Sequence, residues 1–390
     1  MISKFFVSLL MAMMWLSLAT ADNKDATANP SVNDVLALPL PTVTVATTGL
    51  QTAPLSYRQR VGFTAKAEPA FTISGFNEAI VSVSNIESYQ AFFEQTAGWQ
   101  ARYKGTVSRR QLAAWGLTAR GISAREVLMA NPGTQSGFIR LVQFSGVEQQ
   151  HIRSNDQTWD TGGIFNLNIR VKDMDSAFQQ MQRLNWQAPT DPVQFTFGRF
   201  TVKEWLVRGP DGVRFALIER VQPTLEGWPH LKKFSRTFNS TQIVKDMDAS
   251  LMFYRDVLGF KLYMQHHGAS PKTGPNVLGL PHNLATEIDR QINIVHPQGV
   301  NEGSIELLSY SGATGKDFSA RARLPNLGIA MLRLPVKNID ALYRHLQANN
   351  ISISGPLSSV DIAPYGIARR FIVSAPEGAL LEFYELAEPI

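Results

Sequence analysis

The feature that most constrains this 390-residue chain is a segment repeated four times, which reads as strand, turn, helix and three further strands. The letters VKDMD at Val171–Asp175 recur identically at Val244–Asp248. In the second copy Asp246 stands where a helix N-cap is expected, and apolar residues follow it at helical spacing. Two further segments, opening near Glu78 and Ala330, follow the same plan. The chain is therefore predicted to fold by repetition of one βαβββ module.

The repeats predict two domains of two consecutive modules each, in an α+β fold. The first domain is placed at 73–222, with modules at about 76–145 and 163–221. The second domain is placed at 233–390, with modules at about 236–311 and 327–387. This length and a hydrophobic content of 44% allow each domain a sizeable core.

The N-terminus has the pattern of an export signal. Lys4 precedes an apolar run at 5–18, and small residues follow up to Ala21. The run is short for a membrane span, so we predict a signal peptide at 1–21, cleaved near Ala21, and a periplasmic or secreted mature protein without a stable membrane anchor. Residues 22–72 are predicted to be a linker or extended arm, with a strand near Thr42 as the alternative.

Composition excludes several kinds of site. The chain has no cysteine, which removes disulfides, thiolate metal ligands and cysteine nucleophiles. Its net charge of +5 comes from scattered residues, so no concentrated basic face for nucleic acid is predicted. The composition leaves the oligomeric state open.

The four modules resemble the vicinal oxygen chelate superfamily, which includes glyoxalase I, bleomycin and fosfomycin resistance proteins and extradiol dioxygenases. The resemblance covers most of the chain from about Gly75 onward. Its most specific parts are Phe253–Phe260, with the letters FYRDVLGF, and the turn Pro376–Gly378, with Glu382 in the strand that follows. It implies that paired modules form curved mixed sheets, whose concave faces hold a substrate and usually a divalent metal.

The resemblance also implies where metal ligands would lie, on the first and last strands of each module. In the second domain the first-strand places fall on Asn239 and Met331, and the last-strand places fall on Glu306 and Glu382. The two glutamates match the family pattern, whereas the histidines of the family are absent. We therefore predict Glu306 and Glu382 as the catalytic and metal-binding candidates, and Asn239 and Met331 as ligand-binding residues. Two buried carboxylates facing one concavity would have to share a proton, a cation or an arginine.

In the first domain the corresponding places fall on Glu78, Arg140, Asn166 and Ala216. A cation beside Arg140 would be repelled, so this half is predicted to lack a metal. Arg140 either forms an ion pair with Glu78 or anchors an anionic ligand. Arg140, Glu78 and Asn166 join the predicted ligand-binding residues.

Two hypotheses on function follow. In the first, the protein binds a small organic ligand in a concave sheet, with a degenerate metal site. In the second, it is a divalent-metal-dependent lyase, isomerase or extradiol-type dioxygenase that acts from the second domain. The sequence assigns no cofactor with certainty, and the one that it leaves open is a divalent metal ion. The predicted partner is a small molecule, and nucleic acid is not expected.

Overall fold

The computed structural model describes residues 70–387, except 198 and 314. The predicted signal peptide and all but the last three residues of the predicted arm lie outside the described residues. None of the helices described is long and apolar enough to cross a membrane.

Seventeen strands and five α-helices make up the described part of the chain. The strands are β1 (Thr72–Ile73), β2 (Glu78–Ser82), β3 (Gln100–Thr106), β4 (Ser123–Ala130), β5 (Phe138–Ser145), β6 (Asn166–Val171), β7 (Val193–Phe197), β8 (Phe200–Arg208), β9 (Arg214–Gln222), β10 (Phe234–Ile243), β11 (Lys261–Gly268), β12 (Asp289–His296), β13 (Ser304–Ser311), β14 (Gly328–Lys337), β15 (Ile353–Ile362), β16 (Gly366–Ser374) and β17 (Leu380–Leu386). The helices are α1 (Ile86–Phe92), α2 (Arg109–Ala114), α3 (Met174–Arg183), α4 (Met247–Leu251) and α5 (Ile339–Ala348), with π-helical turns at Phe93–Ala97 and Met252–Val257 and 3-10 turns at Pro210–Gly212 and Ser319–Arg321.

The strands form two curled mixed sheets. Sheet one has the order β15-β16-β17-β14-β2-β5-β4-β3, with β1 beside β14, and sheet two has the order β11-β12-β13-β10-β6-β9-β8-β7. In each module the first and last strands pair in parallel, as β2 does with β5. The predicted α+β class with curved mixed sheets is confirmed.

The pairing of modules differs from the prediction. Sheet one joins the first and fourth modules through antiparallel β2 and β14, which places Glu78 opposite Arg333. Sheet two joins the second and third modules through β6 and β10, with Asn168 opposite Asn239. Consecutive modules therefore do not share a sheet in the way that the domain division assumed. Four similar first strands can pair in more than one way, and the repeat pattern does not rank those pairings.

Each module starts its first helix with the same device, an Asx N-cap. Asp173 Oδ1 accepts from Ser176 N at 3.0 Å, and Asp246 Oδ1 accepts from Ala249 N at 2.9 Å. The corresponding residues of the first and fourth modules are asparagines, Asn85 and Asn338. A side-chain oxygen here satisfies an otherwise orphaned backbone N–H, which explains where these helices begin.

The buried apolar residues form separate clusters on the two faces of each sheet, because side chains alternate between the faces along a strand. In β2, Ala79 and Val81 belong to the main core, which contains residues of both sheets and the helices. Ile80 belongs to a separate cluster on the opposite, concave face of sheet one. We call the concave face of sheet one, which carries Glu78 and Glu382, cup 1. The concave face of sheet two, which carries Asn239 and Glu306, is cup 2.

Candidate functional site

Cup 1 contains a chain of buried ion pairs that begins at Glu78, a fully buried residue. Arg140 donates through Nε and Nη2 to the two Glu78 oxygens at 2.8 and 3.2 Å, and through Nη1 to Glu126 Oε2 at 2.9 Å. The Tyr365 hydroxyl donates to Glu78 Oε2 at 2.7 Å. Burial by itself would raise the pKa of Glu78, but Arg140 and Arg333 outweigh it, and that pKa lies below its usual value. Glu78 is therefore ionised, and of the two predicted roles of Arg140 the ion pair is present.

The chain continues through Arg333, which contacts both Glu78 and Glu382. Arg333 Nε donates to Glu382 Oε2 at 2.5 Å, and Arg370 Nε donates to Glu382 Oε1 at 2.6 Å. The indole of Trp115 donates to the same Oε1 at 3.2 Å. Burial would raise the pKa of Glu382, but the two guanidinium groups lower it to about 2. Glu382 is thus a carboxylate with arginine partners on both oxygens.

The whole network alternates in charge and is neutral. Its order is Glu126–Arg140–Glu78–Arg333–Glu382–Arg370, three carboxylates and three guanidinium groups. All six side chains are at most 8% exposed. Charges buried this deeply are tolerated because each one is paired and hydrogen-bonded.

Met331 is the family position predicted on β14, but the network uses Arg333, two residues further along the same face. Met331 lies instead in the apolar cluster of cup 1 with Ile80. Arg370 on β16 and Glu126 on β4 were also missed. Side chains alternate between the two faces along each strand. Glu382 and Arg140 point to the concave face, so charged residues at the matching positions of the neighbouring strands could have been predicted to share that face.

A cavity of about 60 Å³ lies beside the network. Arg140 and Arg333 form one wall, and Gln111 and Trp115, from and just after helix α2, form another. Gln111 is 4% exposed, and neither its amide nitrogen nor its amide oxygen has a hydrogen-bond partner. The cavity therefore joins a neutral ionic wall to a buried amide with unused hydrogen-bonding capacity.

Cup 2 carries a chain of amides that crosses strands β6, β10 and β13. Asn166 donates to Asn168, Asn168 donates to Asn239 Oδ1, and Asn239 Nδ2 donates to Ser304 Oγ at 2.7 Å. Of the two predicted residues, Asn239 is thus bonded to both neighbouring strands, whereas Asn166 is bonded to Asn168 on its own strand. Ala216, the remaining predicted place, is buried in the apolar cluster of cup 2.

Cup 2 also holds two buried carboxyl groups, Glu306 on β13 and Glu204 on β8, at 4% and 5% exposure. Oε2 of each has no hydrogen-bond partner. Burial raises the pKa of Glu306 to about 8, and burial together with the charge of Glu306 raises the pKa of Glu204 to about 8. Both are therefore predominantly protonated at neutral pH. Glu204 was not predicted from the sequence, although its alternation with Val202 and Leu206 on β8 was the available signal.

The prediction that Glu306 and Glu382 form one metal site is wrong as to geometry. Glu382 lies in cup 1 and Glu306 in cup 2, on different sheets and among different partners. The consecutive pairing of modules had placed them in one concavity, and the observed pairing separates them. Across the described part of the chain, no group of three or more His, Cys, Asp or Glu residues is arranged to hold a metal ion.

Four βαβββ modules in two curled sheets, each with a polar concave face, are the architecture that the sequence resemblance implied. Residues 236–383 match the model of the Glyoxalase/Bleomycin resistance protein/Dioxygenase superfamily. The resemblance predicted from the sequence is therefore confirmed.

Solved structures share the fold over most of the chain. Glyoxalase I from Zea mays is 13% identical, with a TM-score of 0.52 over 81% of this chain and 93% of its own. A putative dioxygenase from Bacillus subtilis subsp. subtilis str. 168 is 10% identical, with a TM-score of 0.51 over 80% of this chain and 86% of its own. No curated protein matches the sequence. At these identities the similarity shows a common fold, and function must be argued from the cups themselves.

Proposed function

We propose that this protein binds a small organic molecule in cup 1 without a metal ion. The observation that carries the proposal is the pairing of every buried carboxylate in cup 1 with a guanidinium group, beside a cavity that reaches the same network. A relative of metal-dependent enzymes would then have kept the concave sheet as a binding surface while its metal ligands became part of an ion network.

The donor set of cup 1 does not fit a divalent cation. Such ions are held by carboxylate and imidazole lone pairs, and here Glu78 and Glu382 direct theirs toward Arg140, Arg333 and Arg370. A cation placed among these groups would meet three guanidinium charges in a buried region, where the repulsion is weakly screened. We therefore assign no metal-dependent step to cup 1.

The donor set of cup 2 also falls short. Glu204 and Glu306 supply two carboxyl groups, but the adjacent Asn239 amide is already bonded on both sides. The alternative function, divalent-metal-dependent lyase, isomerase or extradiol-type dioxygenase chemistry, would need cup 2 to recruit a third protein ligand.

Metal analysis of the purified full chain, after loading with Mn²⁺, Fe²⁺, Ni²⁺ or Zn²⁺ and dialysis, tests the proposal. We expect far less than one bound ion per chain, with the same content in Glu382→Gln, Glu306→Gln and the exposed control Glu287→Gln. One ion per chain that is lost in Glu382→Gln alone would overturn the proposal. An ion lost in Glu306→Gln alone would favour the alternative enzyme.

We also propose, from the N-terminal pattern, that the protein acts outside the cytoplasm. N-terminal sequencing of protein from the exported fraction should begin directly after Ala21. A mature protein that still carries residues 1–21 would contradict this.

A further inference from the structure

We propose that cup 1 selects a neutral, planar ligand group that both donates and accepts a hydrogen bond, of which a primary carboxamide is the simplest example. This inference rests on the proposed function, since it specifies the ligand class of the same cavity. Three features of the cavity support it: a buried amide, a neutral charge balance and a small volume.

The buried amide belongs to Gln111 on helix α2. Ser108 caps this helix through a bond from Gln111 N to Ser108 Oγ at 3.1 Å, so the backbone of Gln111 is held while its side chain remains unbonded. A buried polar group left unpaired costs about 1–3 kcal/mol. A carboxamide can accept from the Gln111 amide N–H and donate to its oxygen in one reciprocal pair. The argument does not depend on which end atom of the Gln111 side chain is the oxygen and which is the nitrogen. A carboxamide carries both a donor and an acceptor, so it can pair with Gln111 in either orientation.

Helix α2 is attached to the ion network, which keeps Gln111 at the cavity. Arg370 Nη1 donates to Ala114 O at 2.9 Å, and Trp115 Nε1 donates to Glu382 Oε1 at 3.2 Å. Both contacts lie at the C-terminal end of α2, one helical turn from Gln111. The wall of the cavity is therefore a connected structure, and its hydrogen-bonding groups have a defined position.

The charge balance argues against an ionic ligand. The three buried arginines of cup 1 are matched by three buried glutamates, so the buried part of the wall offers neither an anion nor a cation an uncompensated opposite charge, and the exposed Asp361 is the one further charged residue among the described residues of the lining. A buried ion without a partner is strongly disfavoured. A neutral ligand group leaves the existing pairs intact.

The volume sets the size of the group that enters. A cavity of about 60 Å³ accommodates a few water molecules or a group of about four heavy atoms. A carboxamide with one attached carbon has that size, and the remainder of a larger ligand would extend toward the mouth, where Tyr103 and Asp361 lie. Occupation by water alone is the competing outcome that an experiment must separate.

Four nearly isosteric probes separate these possibilities. Acetamide donates and accepts, acetone only accepts, acetate is an anion and acetamidinium is a cation. The indole N–H signal of Trp115, identified with Trp115→Phe, reports on the cavity in ¹⁵N–¹H NMR spectra of the full chain. Trp205, whose indole donates to Thr190 O at 3.0 Å in sheet two, is the internal control. We expect acetamide to shift the Trp115 signal saturably, at least tenfold more tightly than the other probes, without moving the Trp205 signal.

Substitution of Gln111 completes the test. Gln111→Leu, and Gln111→Met as a second variant of similar volume, should remove the preference for acetamide over acetone. Equal affinities in the wild-type protein, or a preference that persists in both variants, would overturn the inference.

No saturable shift with any probe would mean that the cavity holds water only. Tight binding of acetone or acetate but not acetamide would refute this ligand class and leave binding in cup 1 intact, whereas a stoichiometric metal dependent on Glu382 would refute the proposed function itself.

Discussion

At the scale of single residues, partners rather than burial decide the charge of the buried carboxyl groups. Glu382 and Glu306 are both almost completely buried. Glu382 has Arg333 and Arg370 beside it and has a pKa of about 2. Glu306 lies among apolar side chains, and burial raises its pKa to about 8. From the sequence the two glutamates were predicted to be equivalent, because each follows an apolar strand residue at the same place in its module. The difference depends on arginines from other strands.

The raised pKa values in cup 2 predict a pH-dependent stability. Glu204 and Glu306 have a folded-state pKa of about 8 against an ordinary value of 4.5. Between these values the unfolded chain loses protons that the folded chain retains, so each group makes the free energy of unfolding fall as pH rises, by about 1.4 kcal/mol per pH unit. This contribution is fully present below the unfolded pKa and is lost as pH rises through the folded pKa. Urea denaturation across this range should therefore show a shallower decline for Glu306→Gln than for the wild-type protein.

The control for this prediction is Glu287→Gln, which removes a carboxyl group from an exposed position. Its pH dependence should follow the wild type. If Glu306→Gln also follows the wild type, Glu306 is already ionised in the folded protein. That result would contradict the assignment of Glu306 as a buried, protonated carboxyl group whose Oε2 has no hydrogen-bond partner.

At the scale of elements, the sequence predicted where a helix begins but not how its later turns are wound. The predicted cap at Asp246 is confirmed. The continuous helix predicted after it is divided into an α-helical part, Met247–Leu251, and a π-helical turn, Met252–Val257. The turn is closed by a bond from Leu258 N to Phe253 O, and both side chains lie in the main core. A cap depends on two nearby residues, whereas the wider turn depends on packing against the sheets, which periodicity does not report.

The caps lead to a prediction of stability. Asp246→Ala removes the acceptor of the Ala249 N–H and should lower the free energy of unfolding by about 1 kcal/mol. Asp246→Asn keeps a capping oxygen and should retain most of the wild-type stability. Chemical denaturation of the two variants measures the difference. Equal losses in both would indicate that the charge at this position, rather than the cap, supports the helix.

At the scale of the whole molecule, the crossed pairing of modules links the two halves of the chain. Sheet one needs β2 from the first half and β14 from the second, and sheet two needs β6 and β10 in the same way. Glu78 therefore meets Arg333 although the two are 255 residues apart in sequence. Neither cup can be completed by one half of the chain.

This arrangement predicts how the halves behave when separated. Fragments 70–222 and 234–387, divided in the segment between β9 and β10, should each fail to unfold cooperatively alone and should form a one-to-one complex when co-expressed. Fragment 70–222 by itself leaves β2 and β6 without their partner strands, and fragment 234–387 leaves β10 and β14 without theirs. Calorimetry and gel filtration measure both properties. A stable, cooperatively folded monomer of 70–222 would contradict the observed pairing.

The sequence by itself determined the module, its α+β class, its helix caps and the alternation that directs Glu78, Arg140, Glu306 and Glu382 to concave faces. These features depend on residues close together in the chain, where propensity, capping and side-chain periodicity act. Only the tertiary structure decided which modules share a sheet, and hence that Glu382 meets arginines while Glu306 meets Glu204 and apolar side chains. Those contacts join strands that are distant in sequence, and their free energies depend on the dielectric surroundings and the partner charges that only the assembled sheets bring together.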